Sequence, residues 1–574
     1  MVDFSDTPPL PSTDWDVLIS GTGIKQSLLA VALSRAGKSI LQLDKNSYYG
    51  GSAAAFYSLS EADAWATRVN NGDEVGFTNA VVSNVGERGG SGRGYTLSLA
   101  PHLVYWHSGF LGMLREADLT DGFSWLAVGS WWVCLTEEEV AVPATGAGSA
   151  GIGLAEAGVK VAKLASAAGK KRAGWNKGRK KEPVAEAAVG GGGESAVEKK
   201  VTGEDGETTL RRVDNFREVP CTFEDVAWSK DLTDKDRGQL GEFLRFVMKY
   251  SDPTEQKCAR IFEENRQTSL QTFLSTTFPI PPFITTSISS LTLFPSPPSA
   301  IPLEQALPRL AGHFTSLGKI TDVRSSAALT IAYGGSAELC QVLSRAAAVA
   351  GGINVLGRGV TLLSSNNKES NGTRKLQAQL ASGETIYTDW AIGEATDLAK
   401  EVKRASGKTT ARGIYIIETD MSWLFERKYK DEGITPATAV AVIPSSQAAG
   451  GAPIYIIARS AATGECPRGQ CLLHAFTESS YEDMNTAIDK LLRTCSPLSK
   501  ILYSLQYTVD TLGREGVGEV EDGAVLLEPV TQDITLQDEV LEESLAIYER
   551  IMGTREGFME VSEEIRRMKE EMEE

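Results

Sequence analysis

Residues 15–51 read WDVLISGTGIKQSLLAVALSRAGKSILQLDKNSYYGG, one strand–helix–strand unit. Residues 16–20 are apolar and β-branched, which suits a strand buried on both faces. Gly21-Thr22-Gly23 makes a tight turn. From Ile24 to Arg35 the apolar residues Leu28, Leu29, Ala32 and Leu33 recur at helical spacing. Gly37 ends the helix, residues 39–43 form a second strand, and Asp44 stands at its end. This is the order of a dinucleotide-binding turn. Gly21 and Gly23 would let the backbone approach a pyrophosphate, the helix N-terminus would face it, and an acid about 20 residues on would meet a ribose. The third glycine of that pattern is replaced by Gln26. Lys25 and Gln26 bring bulk to the place where helix and strand pack closely, so the fold is expected to persist with its cofactor pocket blocked. Gly21, Gly23 and Asp44 then remain as a vestige, and no cofactor is expected.

At 574 residues the chain is too long for one core and predicts two domains plus inserts. Apolar content of 42% and charge of 23% are those of a globular protein. The net charge of −18 argues against nucleic acid and against generic binding to anionic lipid, and suits a partner with a basic tail. Seven scattered cysteines do not pair into a disulfide framework. Cys466 and Cys471 lie nearest each other but lack a second pair or a nearby histidine, so no metal site is expected. His102, His107, His313 and His474 have no nearby nucleophile pattern. The N-terminus lacks the form of a secretory signal, no run approaches 18 apolar residues, and the end MKEEMEE is no prenylation motif. A cytosolic, reducing compartment is expected.

Farther along, residues 59–68 predict a helix, 70–94 a loop, 95–114 a strand running into a helix, and 123–135 a strand with Trp131 and Trp132 as core anchors. Residues 137–215 turn to Gly, Ala, Lys and Glu. They cannot bury enough apolar area to offset their ordering entropy, and read as a flexible insert. Residues 150–168 predict a transient helix within it. Its basic run 170–181 reads as a solvated stretch, with a nuclear address or lipid-surface patch as the alternative. Thr222 and Thr233 are candidate helix caps. Residues 240–250 carry apolar side chains at 240, 243, 244, 247 and 248. Helices are predicted at 269–278, 284–293 and 303–317. Strands are predicted at 353–363, 376–380, 385–392, 414–418, 438–443, 454–458, 471–477 and 503–508, and helices at 481–494, 541–552 and 558–572. Gly407-Lys408-Thr409 is not a phosphate loop, because Val402 stands where its first glycine belongs.

Three blocks carry a resemblance. Residues 44–51, DKNSYYGG, resemble the family of Rab escort proteins and Rab GDP-dissociation inhibitors. VPCTFEDV at 219–226, followed by SKDLT at 229–233, is similar to the segment opening the small helical domain of the escort branch. YGGSAELCQ at 333–341, with Arg345 and Ala350-Gly351-Gly352, is similar to the block where the family's chain returns to its large domain. This block departs from the family by one residue inserted before the acid and by Cys340 in place of a proline, and GKITDVR at 318–324 replaces the usual preceding loop.

The resemblance implies an α/β fold: a large FAD/NAD-binding-like (Rossmann-type) sheet domain with a smaller all-helical domain inserted. The parts would be 1–136, the first part of the large domain; 137–215, the insert; 216–320, the helical, prenyl-binding domain; 321–540, the rest of the large domain; and 541–574, acidic helices. It implies that Tyr49, Glu338 and Arg345 grip a GDP-bound Rab GTPase. Ser336 is the expected N-cap of their helix, with Glu338 in its first turn and Arg345 about two turns on, along the same face. Phe243, Phe246, Val247, Phe273, Leu274, Ile288 and Leu291 would line a cavity for a geranylgeranyl lipid. The chain would be a non-catalytic component that presents Rab proteins to the Rab geranylgeranyltransferase heterodimer and delivers them to membranes, touching these transiently. It would work in the cytosol, with the nucleus as a second compartment. The alternatives are a Rab GDP-dissociation inhibitor and a flavin-dependent oxidoreductase.

Overall fold

The computed structural model describes residues 8–84, 93–136, 212–228, 232–365, 374–399, 409–429, 432–448, 451–495, 499–510, 523–528, 530 and 533–561. The fold is α/β. Strand Asp14–Ser20 lies between Ile40–Asp44 and Thr385–Glu394, parallel to both, at the centre of a seven-stranded sheet. Val17, Leu18, Ile19 and Ser20 are buried, as a strand covered on both faces requires. Ile353–Leu356 extends the sheet beyond Ile40–Asp44. Beyond Thr385–Glu394 come Leu376–Leu380, antiparallel, and Ala524–Leu527, parallel, each taking a different half of that strand. Residues 353–363, expected as one strand, are two. Gly357 at φ 76° turns the chain, and Val360–Ser365 pairs at the far side of the sheet.

Helix Ile24–Arg35 is buried from Ile24 through Ser34. A helix buried on nearly every side belongs inside the molecule, and it packs on helices Ser336–Val349 and Glu539–Met552. The second of these continues into a turn: Phe558–Val561 is not helical, because Gly553 and Gly557 adopt φ of 78° and 80° and end the coil. The rest of the expected helix 558–572 lies outside the described residues.

An eleven-stranded sheet runs from Phe77–Asn84 at one edge through Ile501–Asp510, Thr409–Ile417, Cys471–Thr477, Ile454–Ser460, Thr438–Ile443 and Trp125–Cys134 to Ala328–Ile331 and Val104–Tyr105. Phe77–Asn84 falls in the expected loop. Its alternation is masked by Asn and Thr, and Asn79 sits at φ 54°. Phe216–Glu218 pairs with Trp125–Cys134, and Arg212–Val213 with Phe216–Glu218. Asn215 accepts the Leu135 amide at 2.8 Å. The chain therefore re-enters the sheet at Arg212. The transient helix expected at 150–168, the basic run 170–181 and residues 400–408 lie outside the described residues.

The helical segment opens with both expected caps. Thr222 Oγ1 accepts the Asp225 amide, and Thr233 forms a capping box with Asp236 on helix Asp234–Lys249. That helix buries Leu240, Phe243, Leu244, Phe246 and Val247. Met248, expected inside, is 44% exposed. At 100° per residue it lies about 110° from the mean direction of the five buried side chains, on the flank of the stripe. Helix Gln256–Asn265, absent from the expectation, buries no residue fully. Helices Leu270–Thr276, Pro282–Ser290 and Leu303–Ser316 complete the segment.

A buried latch joins this segment to the sheet. Lys428 Nζ donates to Asp225 at 2.6 Å and lies 3.6 Å from Glu218. Glu432 accepts the amides of Ser325, Lys428 and Tyr429.

Candidate functional site

At the first turn Gly21 adopts φ 97° and its amide donates to the Leu43 carbonyl. A Cβ on Gly23 would fall 2.7 Å from Gln26 Oε1, and one on Gly21 would fall 3.1 Å from Gln26 Nε2. The buried Gln26 carboxamide thus lies across both glycines, in the space a pyrophosphate would take. Asp44 is buried and its oxygens are engaged. One accepts the Thr22 amide at 2.9 Å and the Thr22 hydroxyl at 2.6 Å, and the other accepts the Asn46 amide at 2.8 Å. Burial pushes this carboxyl up to about 6, against the lowering effect of its hydrogen bonds. Oδ1 keeps one lone pair, so it is the Gln26 carboxamide across Gly21 and Gly23, rather than Asp44, that does not fit a dinucleotide. Lys25 leaves the turn altogether, donating to the Glu528 carbonyl and pairing with Glu543.

The same network fixes the next loop. Thr22 Oγ1 accepts the Gly50 amide at 3.0 Å. The half-buried Tyr49 precedes that glycine, and burial and then Asp44 raise its hydroxyl. Helix Ser336–Val349 buries Ala337, Leu339, Cys340, Leu343, Ser344 and Ala347. Its outer face shows Glu338, Gln341 and Arg345, the last exposed. Burial raises the Glu338 carboxyl. Ser336 is not the N-cap. Gly335 takes that place, at φ 61° and ψ −124°, and the Ser336 hydroxyl turns inward to His102 Nδ1 at 2.6 Å. Glu338 and Arg345 thus share one helix face, while Tyr49 stands on a separate loop, beside Gly50.

Sequence reasoning missed the residues around this stripe. Gln341 Nε2 donates to the Tyr57 hydroxyl at 2.7 Å across 284 residues of chain. Beneath the turn before the helix, Glu465 accepts the Gly334 amide and Arg459 Nη2, each at 2.9 Å. Arg459 also donates to Thr330 and the Ile331 carbonyl. Arg459 and Glu465 are fully buried. Only the Tyr-Gly-Gly sequence hinted at a turn needing such support.

The seven residues expected to line a lipid cavity are all buried in one cluster. Phe243, Phe246, Phe273 and Phe278 pack with ring centroids 5.4–5.6 Å apart. A cleft of about 360 Å³ opens beside them, lined by hydroxyls including Ser275, Thr285 and Ser289. Among the described residues no group of three His, Cys, Asp or Glu could hold a metal ion. Burial lowers His102 and His313 to about 3 and holds His474 well below the usual imidazole range, so these rings are neutral. No helix among the described residues is long and apolar enough to cross a membrane.

Residues 12–154 match the GDP dissociation inhibitor family. The chain is 36% identical over 115 residues to "Rab proteins geranylgeranyltransferase component A" of Saccharomyces cerevisiae, covering 19% of each chain. It is 28% identical over 132 residues to "Guanosine nucleotide diphosphate dissociation inhibitor 1" of Arabidopsis thaliana, covering 23% of this chain and 26% of that one. The matched segments thus span about a quarter or less of these relatives' lengths. The crystal structure of Rab GDI from Plasmodium falciparum superposes with a TM-score of 0.60 at 17% identity, covering 94% of this chain and 98% of that one, a likeness of fold.

Proposed function

We propose that this chain, with a GDP dissociation inhibitor segment at residues 12–154, is a Rab escort protein. It binds newly made, GDP-bound Rab GTPases, presents them to the geranylgeranyltransferase heterodimer and carries the lipidated product to membranes. Its contribution is binding, and the transfer chemistry sits on the transferase. The observation that carries the reading is the filled turn. Gln26 and the Thr22–Asp44 network occupy the dinucleotide cradle, and they brace the loop that bears Tyr49. A redox fold so closed is better suited to presenting a surface than to holding a flavin. Tyr49, Glu338 and Arg345 are that surface. The geranylgeranyl chain enters the helical segment by parting the helices that bury Phe243, Phe246 and Phe273. The protein works in the cytosol.

The escort reading is favoured over the dissociation inhibitor by the component A likeness and by the blocks at 219–226 and 229–233. The test is reconstituted prenylation. With transferase, GDP-loaded Rab and geranylgeranyl diphosphate, lipid transfer should require this chain. A protein that extracts prenylated Rab from membranes but leaves transfer unchanged is the inhibitor instead.

A further inference from the structure

Two exposed tyrosines border the outer stripe of helix Ser336–Val349. Tyr333 is 53% exposed and Tyr57 is 45% exposed. Tyr333 adopts φ 62°, a left-handed conformation that is strained for a bulky residue. Gly334 and Gly335 follow at φ 130° and 61°, so three consecutive residues are held at positive φ. The buried Arg459–Glu465 pair holds them from below through the Gly334 amide. Gly335 lies so close to Ala100 and Pro101 that a Cβ there would come within 3.1 Å of their backbone. The Tyr333 ring stands directly over Gly464, where a Cβ would fall 2.3 Å from it.

Tyr57 is fixed on the same patch. Its hydroxyl takes the Gln341 bond, and a Cβ on Gly334 would lie 3.8 Å from that oxygen. Its backbone amide donates to Glu61 at 2.9 Å, and the Glu338 carboxylate is close by on the stripe. The strained ring is left half in solvent, and strain of this kind gathers where the surroundings over-determine the geometry, often at functional sites. Rigid aromatic rings, set in place before binding, are what interface anchors need.

We infer that Tyr333 and Tyr57 are anchors of the GTPase-binding surface. They seat in apolar depressions of the GTPase beside a basic group that faces Glu338, and so help to decide which GTPases are accepted. This rests on the escort reading. The test substitutes Tyr333→Asn, since asparagine tolerates the left-handed region, and Tyr57→Ala. Affinity for a GDP-loaded Rab GTPase is measured beside the melting temperature. Tyr333→Asn should melt no lower than wild type yet bind about tenfold or more weakly. Tyr57→Ala should weaken binding with the melting point kept. Wild-type affinity in both variants overturns the inference, as does an affinity loss that merely tracks a falling melting point. If Glu338→Ala and Arg345→Ala lose binding while the tyrosine variants keep it, the inference fails and the escort reading stands. If wild type binds no Rab GTPase, both fall.

Discussion

Lys428→Met tests the latch between the helical segment and the sheet. Lys428 Nζ lies 2.6 Å from Asp225 and 3.6 Å from Glu218, all three buried. At an effective dielectric of about 20, these separations give gross attractions of about 6 and about 5 kcal/mol. Desolvating the ammonium takes back several kcal/mol, leaving the roughly 3–5 kcal/mol lost when a buried pair is broken from one side. That is a large part of the roughly 5–15 kcal/mol that holds a domain folded. Burial pulls the Lys428 ammonium down, but Asp225 and Glu218 push it up further, so it ends raised. A raised lysine contributes its full stability below its unfolded value near 10.4, and loses it only as pH climbs through the raised value. The deficit of Lys428→Met in urea midpoint should therefore be flat from about pH 6 to 9. Lys428→Arg, which keeps the charge, should lose much less. Equal midpoints for wild type and Lys428→Met, or an equal loss in Lys428→Arg, would refute the reasoning.

Other outcomes are expected. Arg345→Ala should change folding stability by no more than about 0.5 kcal/mol, as an exposed substitution does, and cost about 2 kcal/mol in Rab–GDP affinity by titration calorimetry. Glu338→Ala should also weaken Rab–GDP binding, and wild-type affinity with a lowered melting point in both variants would mean the helix serves only the fold. Protein denatured after purification should release no flavin, measured by absorbance, because Gln26 fills the turn. Deleting residues 137–211 and joining the ends by a short linker should leave melting and Rab binding unchanged, because Cys134 and Phe216 already lie opposite each other in the sheet. His313, with its value near 3, is protonated more readily unfolded than folded, so stability should fall as pH drops from about 6.5 toward 3. His313 lies among Trp131, Tyr105 and Phe314, and His313→Phe should make that slope shallower in melts across pH, with His102 and His474 supplying the remainder. Asp44, raised to about 6, works in the opposite sense and should remain visible in that variant.

What could be read from the chain was what local rules govern. The first unit was legible because a doubly covered strand is apolar throughout and a tight turn takes glycine. Glu338 and Arg345 share a helix face by the period alone. The edge strand Phe77–Asn84 was not legible, since Thr78, Asn79 and Ser83 blur its alternation. Helix Gln256–Asn265 was missed because it has no fully buried side to pattern it. Ser336 looked like a cap because caps are read from residue type, whereas its environment is set by His102, far away in sequence. The setting of Tyr57 and Tyr333 was not legible for a related reason: their fixing groups, Gln341 and the Arg459–Glu465 pair, come from distant segments, and the latter from beneath the surface.

The carboxylate of Asp44 cannot serve two masters. Its oxygens hold Thr22 and Asn46, and through Thr22 it clamps the Gly50 amide. A ribose hydroxyl arriving at the buried Asp44 would have to crowd in beside the Asn46 amide on Oδ1. Shrinking Gln26 to admit a nucleotide would therefore set that ligand in competition with the network that braces the loop carrying Tyr49. A nucleotide at this turn and the proposed Tyr49 surface would draw on the same side chain. A variant engineered to gain one should surrender the other in proportion, with ligand and protein partner antagonistic at equilibrium.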